Sequence, residues 1–94
     1  MALTFAWDED KARQNAAKHR VTFVEAATVF GDPFSLTIPD PLHSLGEERS
    51  VIVGLSSRQR LLVVVFTERN ETIRLISARQ ATRHEREDYE QGTT

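Results

Sequence analysis

Residues Leu61–Glu90 read LLVVVFTERNETIRLISARQATRHEREDYE. Leu61 to Phe66 is apolar at every position, too short for a buried helix, and predicts a central strand covered on both faces. The polar stretch Glu68–Glu71, around Asn70, predicts a tight turn. Ile73 to Ala78 predicts a second strand. Thr82 and Glu85 stand at capping-box spacing and open a helix that runs to about Glu90. Arginines occupy positions 74, 79, 83 and 86, at the end of one strand and the first turns of one helix. The guanidinium is a planar, permanently charged fork of donors that matches a phosphate in two contacts at once. A cluster carried on a strand and helix is therefore a candidate functional surface.

Upstream, Arg49–Leu55 alternates, with Val51, Val53 and Leu55 on one side, and predicts a strand. Phe34, Leu36 and Ile38 alternate with Ser35 and Thr37 and predict another. Between them Pro39-Asp40-Pro41 opens a loop that reaches about Glu47 and carries His43 and Gly46. Leu3–Trp7 reads as a short first strand. Asp8 is a suitable N-cap, and a helix is expected from Glu9 to His19 with cations Lys18, His19 and Arg20 at its end. Thr22 and Glu25 repeat the capping-box spacing, and Phe23, Ala26, Ala27 and Phe30 form the inner side of a second helix ended by Gly31-Asp32-Pro33. The order β-α-α-β-β-β-β-α, with short turns between consecutive strands, predicts one α+β domain over residues 1–94. Its sheet should be an antiparallel meander with the two early helices on one face.

The chain has 94 residues, no cysteine, 28% charged residues and a net charge of −2. The missing cysteines exclude disulfides and thiolate metal sites. His19, His43 and His84 lack ligand-like spacing, so neither a metal nor a cofactor is expected. No signal peptide or membrane segment is expected. Charge is unevenly distributed. Residues 58–86 hold seven arginines against three glutamates, a net +4, which leaves −6 for the remainder. This pattern fits a local anionic partner better than a general nucleic-acid binder, and equally fits an unevenly charged solvated surface.

Several short motifs resemble the BrnT toxins. They are Trp7-Asp8, Lys18-His19 before Val21-Thr22-Phe23, Glu25-Ala26-Ala27, Asp32-Pro33, His43, Gly46-Glu47-Glu48-Arg49, Leu62–Thr67 with Glu68-Arg69, Ile73-Arg74, Ile76-Ser77-Ala78-Arg79, and Ala81-Thr82-Arg83 with Glu85-Arg86. The likeness runs from about Phe5 to Glu90. It implies a RelE-like fold and a metal-independent ribonuclease, the toxin half of a type II toxin–antitoxin pair in the cytoplasm. The implied partners are a BrnA-like antitoxin, an RNA substrate, and operator DNA reached through the antitoxin. The implied assembly is a toxin homodimer within a heterotetramer that represses its own operon. Two positions depart from the family pattern, since Arg20 and Asn70 stand where glycine is usual. Both are expected to need an unusual backbone angle.

RNA is cut without metal when its own 2′-OH attacks the adjacent phosphorus, which calls for a base, a cation and an acid. Histidine exchanges protons near neutral pH, so His19 is a candidate, although a cation capping the C-terminus of its helix is the somewhat stronger reading. Glu47 or Glu48, beside Arg49, is a candidate base or else a surface ion pair. Arg79, at a strand end where elements converge, ranks first among the cations, followed by Arg74. Strict alternation puts these two on opposite faces unless the chain bends near Ala78. Lys18, Arg83 and His43 are candidate RNA contacts, each with a solvated alternative. The competing readings are a non-catalytic module whose arginines dock an acidic protein or DNA, and a degenerate toxin retained for regulation.

Overall fold

The computed structural model describes residues 3–40 and 48–92. Its elements are β1 (Thr4–Ala6), α1 (Glu9–His19), α2 (Phe23–Thr28), a single 3-10 turn (Val29–Gly31), β2 (Leu36–Pro39), β3 (Ser50–Leu55), β4 (Leu61–Arg69), β5 (Thr72–Gln80) and α3 (Arg83–Gly92). The strands form one sheet in the order β1-β5-β4-β3-β2. Strands β2 to β5 pair antiparallel in succession, as the short turns predict. The first strand returns to the far edge and pairs parallel with β5, so the sheet is mixed and not wholly antiparallel. A short β1 carries too little sequence pattern to reveal this partner.

The core lies between one face of the sheet and α1 and α2. Val21, Phe23, Ala26 and Val29 meet Ile52, Leu62, Val64, Phe66, Ile73, Leu75 and Ala78. Each large apolar side chain buried there contributes about 1.5–3 kcal/mol. An aromatic ladder of edge-on rings, Phe5–Phe30–Phe66, ties β1 to the central strand. β4 is the middle strand, and its buried run Leu61–Val64 is apolar at each position because helices cover one face and α3 partly covers the other.

Helix ends follow their local chemistry. The Asp8 carboxylate accepts from Lys11 N–H at 3.1 Å, and the Thr22 hydroxyl accepts from Glu25 N–H at 3.1 Å. The second capping box is only half formed. Glu25 is buried, and its carboxylate turns to Ser56 Oγ (2.7 Å) and Arg60 Nε (2.9 Å). Those donors, Arg60 first, hold it below the usual carboxylate range. The same Arg60 reaches Arg20 O at 3.0 Å. Arg20 is the left-handed cap of α1, at φ 58°. Asn70 and Glu71 are also left-handed, at φ 52° and 66°, as a two-residue hairpin turn matching the strand twist requires. Both departures from glycine thus fall where a positive φ is needed.

Candidate functional site

The geometry of the site follows from one extra residue. β5 pairs with β4 in the register Arg74↔Thr67, Leu75↔Phe66, then Ser77↔Val65 and Arg79↔Val63. Ile76 falls opposite no residue, which makes it the extra residue of a β-bulge. Before the bulge, the even position Arg74 points away from the core while Ile73 and Leu75 are buried. After it, Ala78 is buried and the odd position Arg79 points away. Arg74 and Arg79 therefore share a face, opposite to what strict alternation implies. They are separated by four residues of β4, about 13 Å.

Ala78 is held in this register by Asn15. The buried amide of Asn15 donates to Ala78 O (2.8 Å) and Val21 O (2.9 Å) and accepts from Ala78 N–H (3.0 Å). It completes the edge of β5 where β1, which pairs only with Thr72–Arg74, has ended. A polar residue on the inner side of α1 was the one signal for this role, and sequence reasoning passed over it.

The two arginines differ in surroundings. Arg79 grips Glu85 with both terminal nitrogens, at 2.8 Å each, and also donates to Gln80 O at 3.2 Å. Glu85 closes a complete capping box as well, accepting from Thr82 N–H at 2.8 Å while Thr82 Oγ1 accepts from Glu85 N–H at 3.2 Å. The Arg79 hydrogen bonds, reinforced by Thr82, bring Glu85 down to about 2 against the opposing effect of burial. Arg79 is correspondingly raised. The capping-box spacing foreshadowed Glu85 as a cap but not as the partner of Arg79.

Arg74 is exposed and forms no ion pair among the described residues. It lines a half-open cavity of about 670 Å³ with Ala6, Glu48, Thr67, Glu68, Arg69, Asn70 and Thr72. The structure so brings Glu48 and Arg74 to one place. Arg49, half-buried beside Glu48, accepts at its carbonyl from Asp40 N–H at 2.9 Å.

α1 runs alongside β5. Its N-cap Asp8 feels the charge of Arg74, Asn15 binds Ala78, and the last turn with exposed Lys18 and half-buried His19 lies beyond, toward Arg79. The helix packs on the core face, so His19 and Arg79 flank β5 from different sides, and no hydrogen bond joins them. Arg83 is exposed and 3.5 Å from Glu87. His43 and Glu47 lie outside the described residues. The candidates thus form two groups: Arg74 with Glu48 and Arg49 at one end of β5, and Arg79, Arg83, Lys18 and His19 toward the other. Among the described residues no three His, Cys, Asp or Glu side chains gather as metal ligands, and no helix is long and apolar enough to cross a membrane.

A small α+β domain with a five-stranded mixed sheet, α1 and α2 on one face, and arginines of β5 with α3 on the other defines the class. Its family is the ribonuclease toxin BrnT of type II toxin–antitoxin systems, whose sequence model matches residues 7–85, and the chain belongs to it. The crystal structure of the Brucella abortus ribonuclease toxin BrnT shares the fold, with a TM-score of 0.68 and 21% identity over 87% of this chain and 100% of that one. No curated protein matches the chain.

Proposed function

We infer that this protein is a metal-independent endoribonuclease, the toxin of a type II pair, acting in the cytoplasm and neutralised by a BrnA-like antitoxin. The observation that carries this reading is the bulge at Ile76, which puts Arg74 and Arg79 on one open face in a member of a ribonuclease family. In the reaction, the 2′-oxygen attacks phosphorus, its proton passes to a base, and the P–O5′ bond breaks as an acid protonates the leaving oxygen. The products are a 2′,3′-cyclic phosphate and a 5′-hydroxyl. We assign Arg74 to stabilise the phosphorane charge, Glu48, which lines the same cavity, to take the first proton, and Arg49 to hold the Glu48 segment. Arg79, steadied by Glu85, extends the cationic surface. His19 lies with Arg79 at the far end of β5 and across the strand, so it does not serve as acid for a phosphate held at Arg74 and Glu48, and water protonates the leaving oxygen. Lys18, Arg83 and His43 are read as RNA contacts. The assembly is read as a toxin homodimer within a heterotetramer that represses its own operon through the antitoxin.

One observation favours a second reading. The Arg79 fork is already filled by a carboxylate, as it would be in a regulatory, inactive toxin. The deciding assay is RNA cleavage by the purified chain in chelator. The native chain is expected to give cyclic-phosphate ends, and Arg74→Ala to lose at least about 100-fold, as expected for removal of one transition-state donor. Arg79→Ala is expected to abolish growth inhibition while staying folded. Cutting that survives in both folded variants sinks these assignments, and a native chain that never cuts moves the weight to the regulatory, inactive toxin.

A further inference from the structure

The outward face of the β4–β5 hairpin carries a pattern separate from Arg79. Arg69 lies directly across from Thr72, and Thr67 directly across from Arg74. Residues 67, 69, 72 and 74 all point away from the core, because Ile73 between them is buried on the helix side. The result is a square with the two arginines on one diagonal and the two threonines on the other. Diagonal neighbours on paired strands stand about 7–8 Å apart, within reach of long side chains. Two forks can therefore converge on one anion while two hydroxyls approach it from the strand surface. All four residues line the 670 Å³ cavity, a size in the range of small-ligand sites. Neither Arg69 nor Arg74 has an ion-pair partner among the described residues, in contrast to Arg79. The left-handed turn at Asn70 and Glu71 fixes the register of the square.

The cavity is not simply cationic. Glu48 and Glu68 also border it. Glu68 pairs with the buried-side position Ile73 and so belongs to the rim, while Glu48 precedes β3 on the opposite wall. The carboxylates limit the square to one anionic group and disfavour a run of them. The separation from Arg79, about 13 Å along the strand, is too long for a single phosphate to bridge.

We propose that Arg69, Thr72, Thr67 and Arg74 form a phosphodiester-binding subsite for single-stranded RNA, holding one backbone phosphate while a second, further along the same strand, takes the Nε–H of Arg79, whose two terminal nitrogens hold Glu85. The ligand's identity rests on the ribonuclease reading above. The consequence is a minimum substrate length, because an RNA too short to span both ends of β5 loses one of its two anchors.

Binding is measured separately from cutting by fluorescence anisotropy with 2′-O-methyl RNA, which cannot undergo 2′-OH attack. The native chain should bind a hexanucleotide clearly better than a dinucleotide. Arg69→Gln should weaken hexanucleotide binding about tenfold, the scale of one charge-assisted hydrogen bond. It should also make the salt dependence shallower by about 0.7 in the log–log slope, one phosphate contact on a single strand. The dinucleotide should respond less. Thr67→Val with Thr72→Val removes the hydroxyls without altering charge, should also weaken hexanucleotide binding, and serves if Arg69→Gln disturbs the hairpin. Native-like affinity and slope in these variants, or no length dependence in the native chain, overturns the proposal. A chain that binds as expected yet cuts no RNA keeps the subsite and defeats the ribonuclease reading. A chain that cuts RNA without any dependence on Arg69 does the reverse.

Discussion

Arg20 adopts φ 58° and ψ 34°, where a Cβ crowds the following carbonyl at roughly 1–2 kcal/mol. Its N–H still caps Ala16 O, and its own carbonyl is held by Arg60, so the fold keeps a conformation that the residue itself resists. Glu71 is in the same position in the hairpin turn. Arg20→Gly and Glu71→Gly should each raise stability by about 0.5–1 kcal/mol, the strain relieved less the entropy glycine adds to the unfolded chain, as read from urea midpoints. Gly54 is the opposite case. A Cβ there would lie 2.8 Å from Val29 Cγ1 and 3.1 Å from Ser35 Cβ, because the 3-10 turn rides directly on β3. Gly54→Ala should lower the melting temperature, and an unchanged value would show that Val29 gives way freely.

Between helix and strand, Asn15 is the joint. Asn15→Ala leaves Ala78 N–H, Ala78 O and Val21 O without partners, at about 1–3 kcal/mol for each buried group so exposed. The expected result is a clear fall in urea midpoint with faster hydrogen exchange at Ala78, and unchanged exchange there would refute the role. α3 has no buried residue, and its ties are polar. Arg79 holds Glu85, and the Tyr89 hydroxyl donates to Asp32 at 2.7 Å; burial first, then Asp32, pushes Tyr89 up to about 12. Because Glu85 lies at about 2 when folded and near 4.5 when not, its contribution is present above pH 4.5 and drains away as pH falls toward 2. Native helical signal should therefore be lost over that window more steeply than in Glu85→Gln, and equal acid profiles would count against the tie. Most element positions were legible beforehand: α1 spans the expected Glu9–His19, and β4 is the expected central strand. Caps, alternation and turn residues are local signals. The bulge, the parallel partner of β1 and the Arg79–Glu85 pair are not, since each depends on which strand lies alongside.

Across the whole molecule, the arginines of β4 and β5 gather on one side of the sheet. α1, α2 and the core occupy the other side, and Arg69, Arg74 and Arg79 share theirs with α3. The offset at Ile76 has a consequence for anyone comparing or redesigning such chains. β5 is written in two reading frames, with outward positions even before residue 76 and odd after it. A relative without the extra residue would require a one-residue gap inside the strand, and an alignment that forbids such gaps would match Arg79 to a neighbour's core position. A single insertion or deletion here is thus a switch of sidedness for half a strand, able to carry a cation from the solvent face into the hydrophobic interior without changing any residue's identity.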